Sequence, residues 1–219
     1  MNEKFLKFKN KCFTILGLGI SGIASLDYLL KVASETKIKI FVSDTRSLDS
    51  LPEKLRQKLD SNKECLDYEF GSVHSEKCLE SDYLLVSPGI NPQEKIILDA
   101  KKAKVQVFTE LELASQMMNK YICITGTNGK STVSSWLSFV LESPLCGNIG
   151  IPCLEVLNSS DNKDDWYVLE TSSFQLAHSN HLKPKIAAIT NITPDHITWH
   201  GSWEEYINSK FKITEYQDS

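Results

Sequence analysis

The stretch from Tyr121 to Val133, YICITGTNGKSTV, leaves few folds open. Tyr121 to Ile124 is a short apolar run that reads as a buried parallel strand. It breaks into Thr125-Gly126-Thr127-Asn128-Gly129, continues through Lys130-Ser131-Thr132, and enters a helical stretch reaching Leu141. Strand, glycine turn, Lys-Ser/Thr and helix together make a phosphate-binding loop. Glycines let the backbone approach a phosphate, and the amides and dipole at the helix start favour negative charge there. Lys130 is placed to reach β- and γ-phosphates, and Ser131 or Thr132 to offer a hydroxyl to Mg²⁺. The loop is shorter than the usual GxxxxGK[ST] form, because Ile124 stands where the first glycine belongs. An ordinary strand–turn–helix joint with a solvated lysine is the competing reading.

A second glycine turn lies near the start. CFTIL, residues 12–16, reads as a strand, GLGISG follows over 17–22, and a helix runs to about Lys31. A second strand, Ile38 to Ser43, ends in Asp44, about twenty residues beyond the glycines. That is a dinucleotide fingerprint. Further strands are expected at Leu66–Phe70, Tyr83–Val86 and Val105–Phe108, and helices at Pro52–Leu59 and Pro92–Lys102. Alternating strands and helices predict an α/β fold with a Rossmann-like parallel sheet over 1–108. Ligands of such sheets bind beyond the carboxyl ends of strands, so Gly17–Gly22, Asp44-Thr45-Arg46 and Ser87-Pro88-Gly89 are expected to line one crevice.

A helical connector, Thr109–Asn119, leads into a second α/β unit over 109–219, opened by the phosphate-binding loop of P-loop type. Its later strands are Trp166–Leu169, running into Glu170, and Ile186–Thr190, running towards His196. A last helix is expected from Trp203 to the end.

Composition removes several classes. With 219 residues and a net charge of −4, the chain is sized for one to two domains and carries no nucleic-acid footprint. Four lysines ahead of CFTILGLGI loosely mimic a signal peptide, but Gly17, Gly19 and Gly22 fit the turn better, and no stretch is long enough to span a membrane. The six cysteines form no CxxC pair and read as reduced thiols, not a disulfide frame or zinc site.

The motifs GLGISG, DTR, SPGI, TELELA, TGTNGKST, GNIGIP, LETSSFQL, NITPDH and YINSK occur in this order. In that order they resemble the Mur ligase family, and specifically the branch that adds D-glutamate to UDP-N-acetylmuramoyl-L-alanine. The resemblance covers nearly the whole chain. It implies a cytoplasmic, ATP- and Mg²⁺-dependent amide ligase of peptidoglycan synthesis, working through an acyl phosphate. It implies that Gly17, Leu18, Gly19, Ile20 and Ser21 hold a UDP diphosphate, with Asp44, Thr45 and Arg46 near the uracil and Ser87, Pro88 and Gly89 in the same crevice. From the residues alone that crevice suits a nicotinamide dinucleotide equally, since both ligands carry a pyrophosphate. The resemblance further implies that Gly126 to Thr132 bind ATP, that Ser131, Glu170 and His196 hold Mg²⁺ with Lys210 as a carbamate, and that Asn148 and Gln175 lie near the substrate. Lys130, Glu170, His196 and Lys210 form the implied catalytic set.

Two departures stand out. Thr198 and Trp199 replace an acid and an arginine that support the family histidine, which puts the support of His196 in question. The sequence also stops near half the family's length. The remainder of the central domain and the C-terminal domain with the D-glutamate site are therefore expected to be absent, or supplied by a second chain. A sheet cut there should leave an exposed edge or unfilled core face, with the region after about Glu170 partly disordered. The chain alone is then expected not to form the amide at a useful rate, or to be an inactive nucleotide-binding remnant of a split or decayed gene.

Overall fold

The structure, a computed structural model, describes residues 3–71, 74–159 and 166–217. The chain divides into two compact units, Met1–Phe108 and Thr109–Ser219.

In the first unit, β1 (Cys12–Leu16), β2 (Lys39–Asp44), β3 (Leu66–Phe70), β4 (Tyr83–Val86) and β5 (Gln106–Phe108) form a sheet in the order β3-β2-β1-β4-β5. All its pairings are parallel. The inner strands β1 and β4 are almost wholly apolar and buried because both faces are covered, whereas the edge strand β3 carries Asp67 and Glu69. The helices are α1 (Ile20–Thr36), α2 (Glu53–Ser61) and α3 (Lys95–Lys102). The helix α1 runs five residues past the expected end at Lys31. Ala33 and Thr36 are buried, and Lys37, at φ 55°, closes the helix by donating its N–H to the Ala33 carbonyl. The lysine-rich start is a 3-10 helix, Glu3–Phe8, whose Phe5 and Phe8 are buried against Phe13, Tyr28 and Tyr83. Aromatic packing thus accounts for the segment that imitates a signal peptide.

In the second unit, β6 (Lys120–Thr125), β7 (Leu145–Gly147), β8 (Trp166–Glu170) and β9 (Ile186–Ile189) form a parallel sheet in the order β7-β8-β6-β9. Its helices are α4 (Glu110–Met117), α5 (Lys130–Leu141), α6 (Cys153–Ser159), α7 (Ser173–His178), α8 (Ile197–His200) and α9 (Trp203–Phe211). The segment after Glu170 was expected to be partly disordered. It forms α7, β9, α8 and α9 instead, and α9 ends at Phe211 without running to the end. Strand β9 lies at the sheet edge, and α5 exposes Trp136 at 76% and Phe139 at 83%. These are an open edge and an uncovered apolar helix face. No helix among the described residues is long and apolar enough to cross a membrane.

Candidate active site

Three loops meet at the carboxyl ends of β1, β2 and β4. Gly17 takes φ 81°, which a side chain rarely adopts, and its carbonyl accepts from Ser87 Oγ at 2.8 Å. Gly22 is required by close approach, since a Cβ there would stand 2.0 Å from the Gly17 carbonyl oxygen. The Leu18 N–H donates to Asp44 Oδ2 at 2.7 Å, and the Arg46 guanidinium donates to that oxygen at 2.7 Å and to the Leu18 carbonyl at 2.8 Å. Burial acts to raise the Asp44 pKa, but the hydrogen bonds from Arg46 and Leu18 overcome it and hold the carboxyl at about 2. Gly19 has nothing within 4 Å of its Cβ position, so its backbone faces open space. Thr45, Arg46, Gly89 and Ile20 are exposed beside it, and Ser21 and Pro88 are half-buried.

In the second unit the phosphate loop follows the central strand β6. Gly129, at φ 79°, starts α5, and Gly126, at φ 150°, passes so close to β9 that a Cβ would meet Thr190 Oγ1 at 1.9 Å. Asn191 braces the loop: its side chain accepts from the Asn128 N–H at 3.0 Å and donates to the Asn128 carbonyl at 2.8 Å. Lys130 Nζ folds back onto the Thr127 carbonyl at 2.9 Å. Ser131 and Thr132 are exposed at the start of α5.

Glu170 ends β8 and is 1% exposed. Ser134, one turn beyond Lys130, donates to its Oε2 at 3.1 Å, and Asn148 donates to its Oε1 at 2.8 Å. The Asn148 N–H also donates to the Glu170 carbonyl at 2.8 Å. Lys210, which composition reads as a surface residue, is buried at 1% exposure, and its Nζ donates to the Gly126 carbonyl at 2.8 Å. Burial first, and the charge of Lys130 second, lower its pKa to about 8, against an opposing pull from Asp195. Tyr206, one turn before Lys210, places its ring under the Nζ at 4.7 Å and its hydroxyl 2.8 Å from Thr127 Oγ1.

His196 was expected at a strand end. It lies seven residues past β9, in a left-handed conformation at the start of α8, because the chain loops through Thr190–Asp195 first. Its ring rests 4.8 Å from that of Phe174 and its Nε2 is 3.4 Å from Asp195. Trp199, at a position where the resemblance put the support of His196 in question, packs edge-on against Phe174 at 4.6 Å. Gln175 is buried in a capping box with Ser172, its side-chain oxygen accepting the Ser172 N–H at 3.0 Å. Sequence reading missed Ser134, Asn191, Asp195 and Tyr206. Two carried a signal: Ser134 and Tyr206 stand four residues from Lys130 and Lys210, on the same helix faces.

The chain belongs to the Mur ligase family. Residues 11–109 match the family description "Mur ligase MurD-like, N-terminal domain" and residues 124–219 match "Mur ligase middle domain". A UDP-N-acetylmuramoylalanine--D-glutamate ligase of Thermosipho africanus is 41% identical over 216 residues, covering 94% of this chain and 48% of that protein. The proteins of the same name from Fervidobacterium nodosum and Elusimicrobium minutum are 38% and 33% identical, over 94% and 98% of this chain and 48% and 47% of theirs. The chain spans about half the length of these curated relatives. Among solved structures, a UDP-N-acetylmuramate:L-alanyl-gamma-D-glutamyl-meso-diaminopimelate ligase of Neisseria meningitides superposes with a TM-score of 0.53 at 14% identity, covering 95% of this chain and 69% of that one. That likeness shows the shared α/β fold.

Proposed function

We propose that the chain carries the UDP-substrate-binding and ATP-binding parts of a cytoplasmic ligase that joins D-glutamate to UDP-N-acetylmuramoyl-L-alanine. The observation that carries this reading is in the second unit: a glycine loop with Lys130, and the buried Lys210 bonded to that same loop at Gly126. Beside it, β8, paired with β6, ends in the buried carboxylate of Glu170, which Ser134 and Asn148 hold in place.

The residues present fit Mg²⁺ with a nucleotide. Glu170 keeps acceptor capacity beyond its two hydrogen bonds, and Ser131 adds a hydroxyl oxygen, the hard ligand type Mg²⁺ takes. Lys210 fits only as a carbamate, because an ammonium has no lone pair. His196 offers nitrogen and is the outlying member of the set. When bound, Mg²⁺ neutralises charge on the transferring phosphoryl. Lys130 leaves the Thr127 carbonyl to pair with phosphate oxygens, and the backbone amides opening α5 hold them.

The proposed reaction runs in two steps. The alanyl carboxylate attacks the γ-phosphorus of ATP and releases ADP, giving an acyl phosphate. The amine of D-glutamate then attacks the acyl carbon, phosphate leaves, and the nitrogen loses its proton. In the first unit, Gly17 to Ser21 would take the diphosphate on backbone amides, with Asp44, Thr45 and Arg46 by the uracil. By family resemblance the D-glutamate site lies in a further domain, within the half of the relatives' length that this chain does not span, on the same polypeptide or a second one.

Calorimetric titration with Mg·ATP tests the reading. The chain should bind nucleotide, and Lys130→Ala should weaken binding by about 1.5–3 kcal/mol. Equal affinity of parent and variant would make the loop a structural joint and reject the proposal.

A further inference from the structure

One cluster of side chains in the first unit has no part in the reaction above. Glu69 in β3, His74 after it, and Cys78 in the 3-10 helix Glu76–Glu80 bring a carboxylate oxygen, an imidazole nitrogen and a thiol sulfur within 4.8 Å of one another. The spacing Glu69-x4-His74-x3-Cys78 contains no CxxC pair, so the sequence reads as having no zinc site. The fold assembles the three from a strand, a loop and a helical turn.

Their donor atoms converge on one point. Ser43 Oγ lies 2.6 Å from Glu69 Oε1 and 2.6 Å from His74 Nδ1, and Cys78 Sγ lies 3.6 Å from the same Glu69 oxygen. The backbone fixes two of the three: Glu69 is paired in register with Ser43, and the Cys78 N–H is bonded to the Ser75 carbonyl at 3.1 Å. We propose that Glu69, His74 and Cys78 form a binding site for a zinc-type divalent ion, with a fourth position left for the Ser43 hydroxyl or water.

The chemistry of the donors selects the ion. One sulfur, one nitrogen and one oxygen suit Zn²⁺ or Co²⁺ and disfavour Mg²⁺ and Ca²⁺, which take oxygen. With metal–ligand distances of roughly 2.0–2.3 Å, tetrahedral donors stand about 3.5 Å apart, so the cluster need contract by only about 1 Å. A carboxylate and a thiolate together neutralise the dication. Burial acts to lower the His74 pKa, which favours the neutral ring that a metal ion takes. Cys78 binds as the thiolate, so its proton leaves when the ion enters. The bound ion would clip the 3-10 helix to the strand ends beneath Asp44, since Ser43 and Asp44 are adjacent in β2.

Cobalt titration of the chelator-stripped full chain tests this site. Co²⁺ should produce a near-ultraviolet thiolate-to-cobalt charge-transfer band and tetrahedral visible bands, and Zn²⁺ should abolish both. Cys78→Ser should remove the near-ultraviolet band, and His74→Ala should weaken Co²⁺ binding at least about tenfold. Cys65→Ser, at a half-buried thiol outside the cluster, should leave the spectrum unchanged. Circular dichroism reports folding of each variant, and the half-buried His74 carries the test if Cys78→Ser fails to fold. Absence of the charge-transfer band in the parent chain, its persistence in Cys78→Ser, or unchanged affinity in His74→Ala would overturn the proposal.

Discussion

Lys210 Nζ donates a 2.8 Å hydrogen bond to the carbonyl oxygen of Gly126, tying α9 to the phosphate loop after β6. An amine in this position is unusual in its acidity. Burial and the charge of Lys130 bring its pKa to about 8, so a sizeable fraction is uncharged and nucleophilic near neutral pH. An uncharged amine adds to carbon dioxide, and an ammonium does not. In carbon-13 bicarbonate, a carbamate signal should therefore grow as pH rises through about 7–9, and Lys210→Arg should lack it. A spectrum without the signal across this range would remove Lys210 from the proposed metal set.

The two loop glycines should respond differently to substitution. Both have positive φ, but a Cβ on Gly126 meets Thr190 Oγ1 at 1.9 Å, while one on Gly129 meets nothing within 4 Å. Gly129→Ala should cost about 1 kcal/mol from the backbone alone. Gly126→Ala should cost more, up to about 3 kcal/mol, because it also dislodges Thr190 from its 2.7 Å bond to the Asn128 carbonyl. Chemical denaturation of the two variants checks the order.

Asn148 is exposed yet orients a buried acid. Asn148→Ala removes the donor to Glu170 Oε1 but keeps the backbone bond to the Glu170 carbonyl, so the sheet should stay intact. Mg²⁺-dependent nucleotide affinity should fall about tenfold while the melting temperature holds. Unchanged affinity would show that Glu170 holds its place without the hydrogen bond from Asn148.

The second unit should lose stability between about pH 4.5 and 7. Burial raises the carboxyls of Glu110 and Glu112, each to about 7. A folded-state pKa above the unfolded value favours folding at low pH, and that advantage is lost as pH rises through the folded value. For Glu112 this burial outweighs the hydrogen bond that its Oε2 accepts from the Asn180 N–H at 3.0 Å. Glu112→Gln keeps the acceptor for the Asn180 N–H and removes the titration. The variant should be more stable than the parent at pH 8, by as much as about 3 kcal/mol, and its melting temperature should vary less with pH. A parent-like pH profile would show that Glu112 does not titrate in this range.

Much of this architecture was readable because strands of parallel sheets are short and continuously apolar. CFTIL, YICIT and WYVLE announce themselves, and the glycine turns beside the first two mark strand ends. The three-residue β7 and the short α6, α7 and α8 were not, since elements of this length depend on tertiary contacts more than on periodicity. The capping box of Ser172 and Gln175 was a missed local signal. The family resemblance pointed to Lys210, but its burial was out of reach for a different reason. Nothing about a lysine in a polar helix announces burial, and only the packing of α9 on the loop creates it. Glu69, His74 and Cys78 were hidden likewise, because their convergence depends on a register between β2 and β3.

In the proposed function, the glycine crevice of the first unit takes a UDP-linked substrate. Gly19 is the position to alter, since a Cβ there meets nothing within 4 Å, whereas Gly22→Ala would collide with the Gly17 carbonyl and disturb the turn. The most direct measurement is calorimetric titration of the chain and its Gly19→Leu variant with UDP-N-acetylmuramoyl-L-alanine, alongside a fluorescence titration with NADH. One-to-one binding to the parent, its loss in a Gly19→Leu variant that melts at the parent's temperature, and no response to NADH are predicted. Equal affinity of parent and variant for the UDP substrate, or NADH binding in its place, would contradict the account.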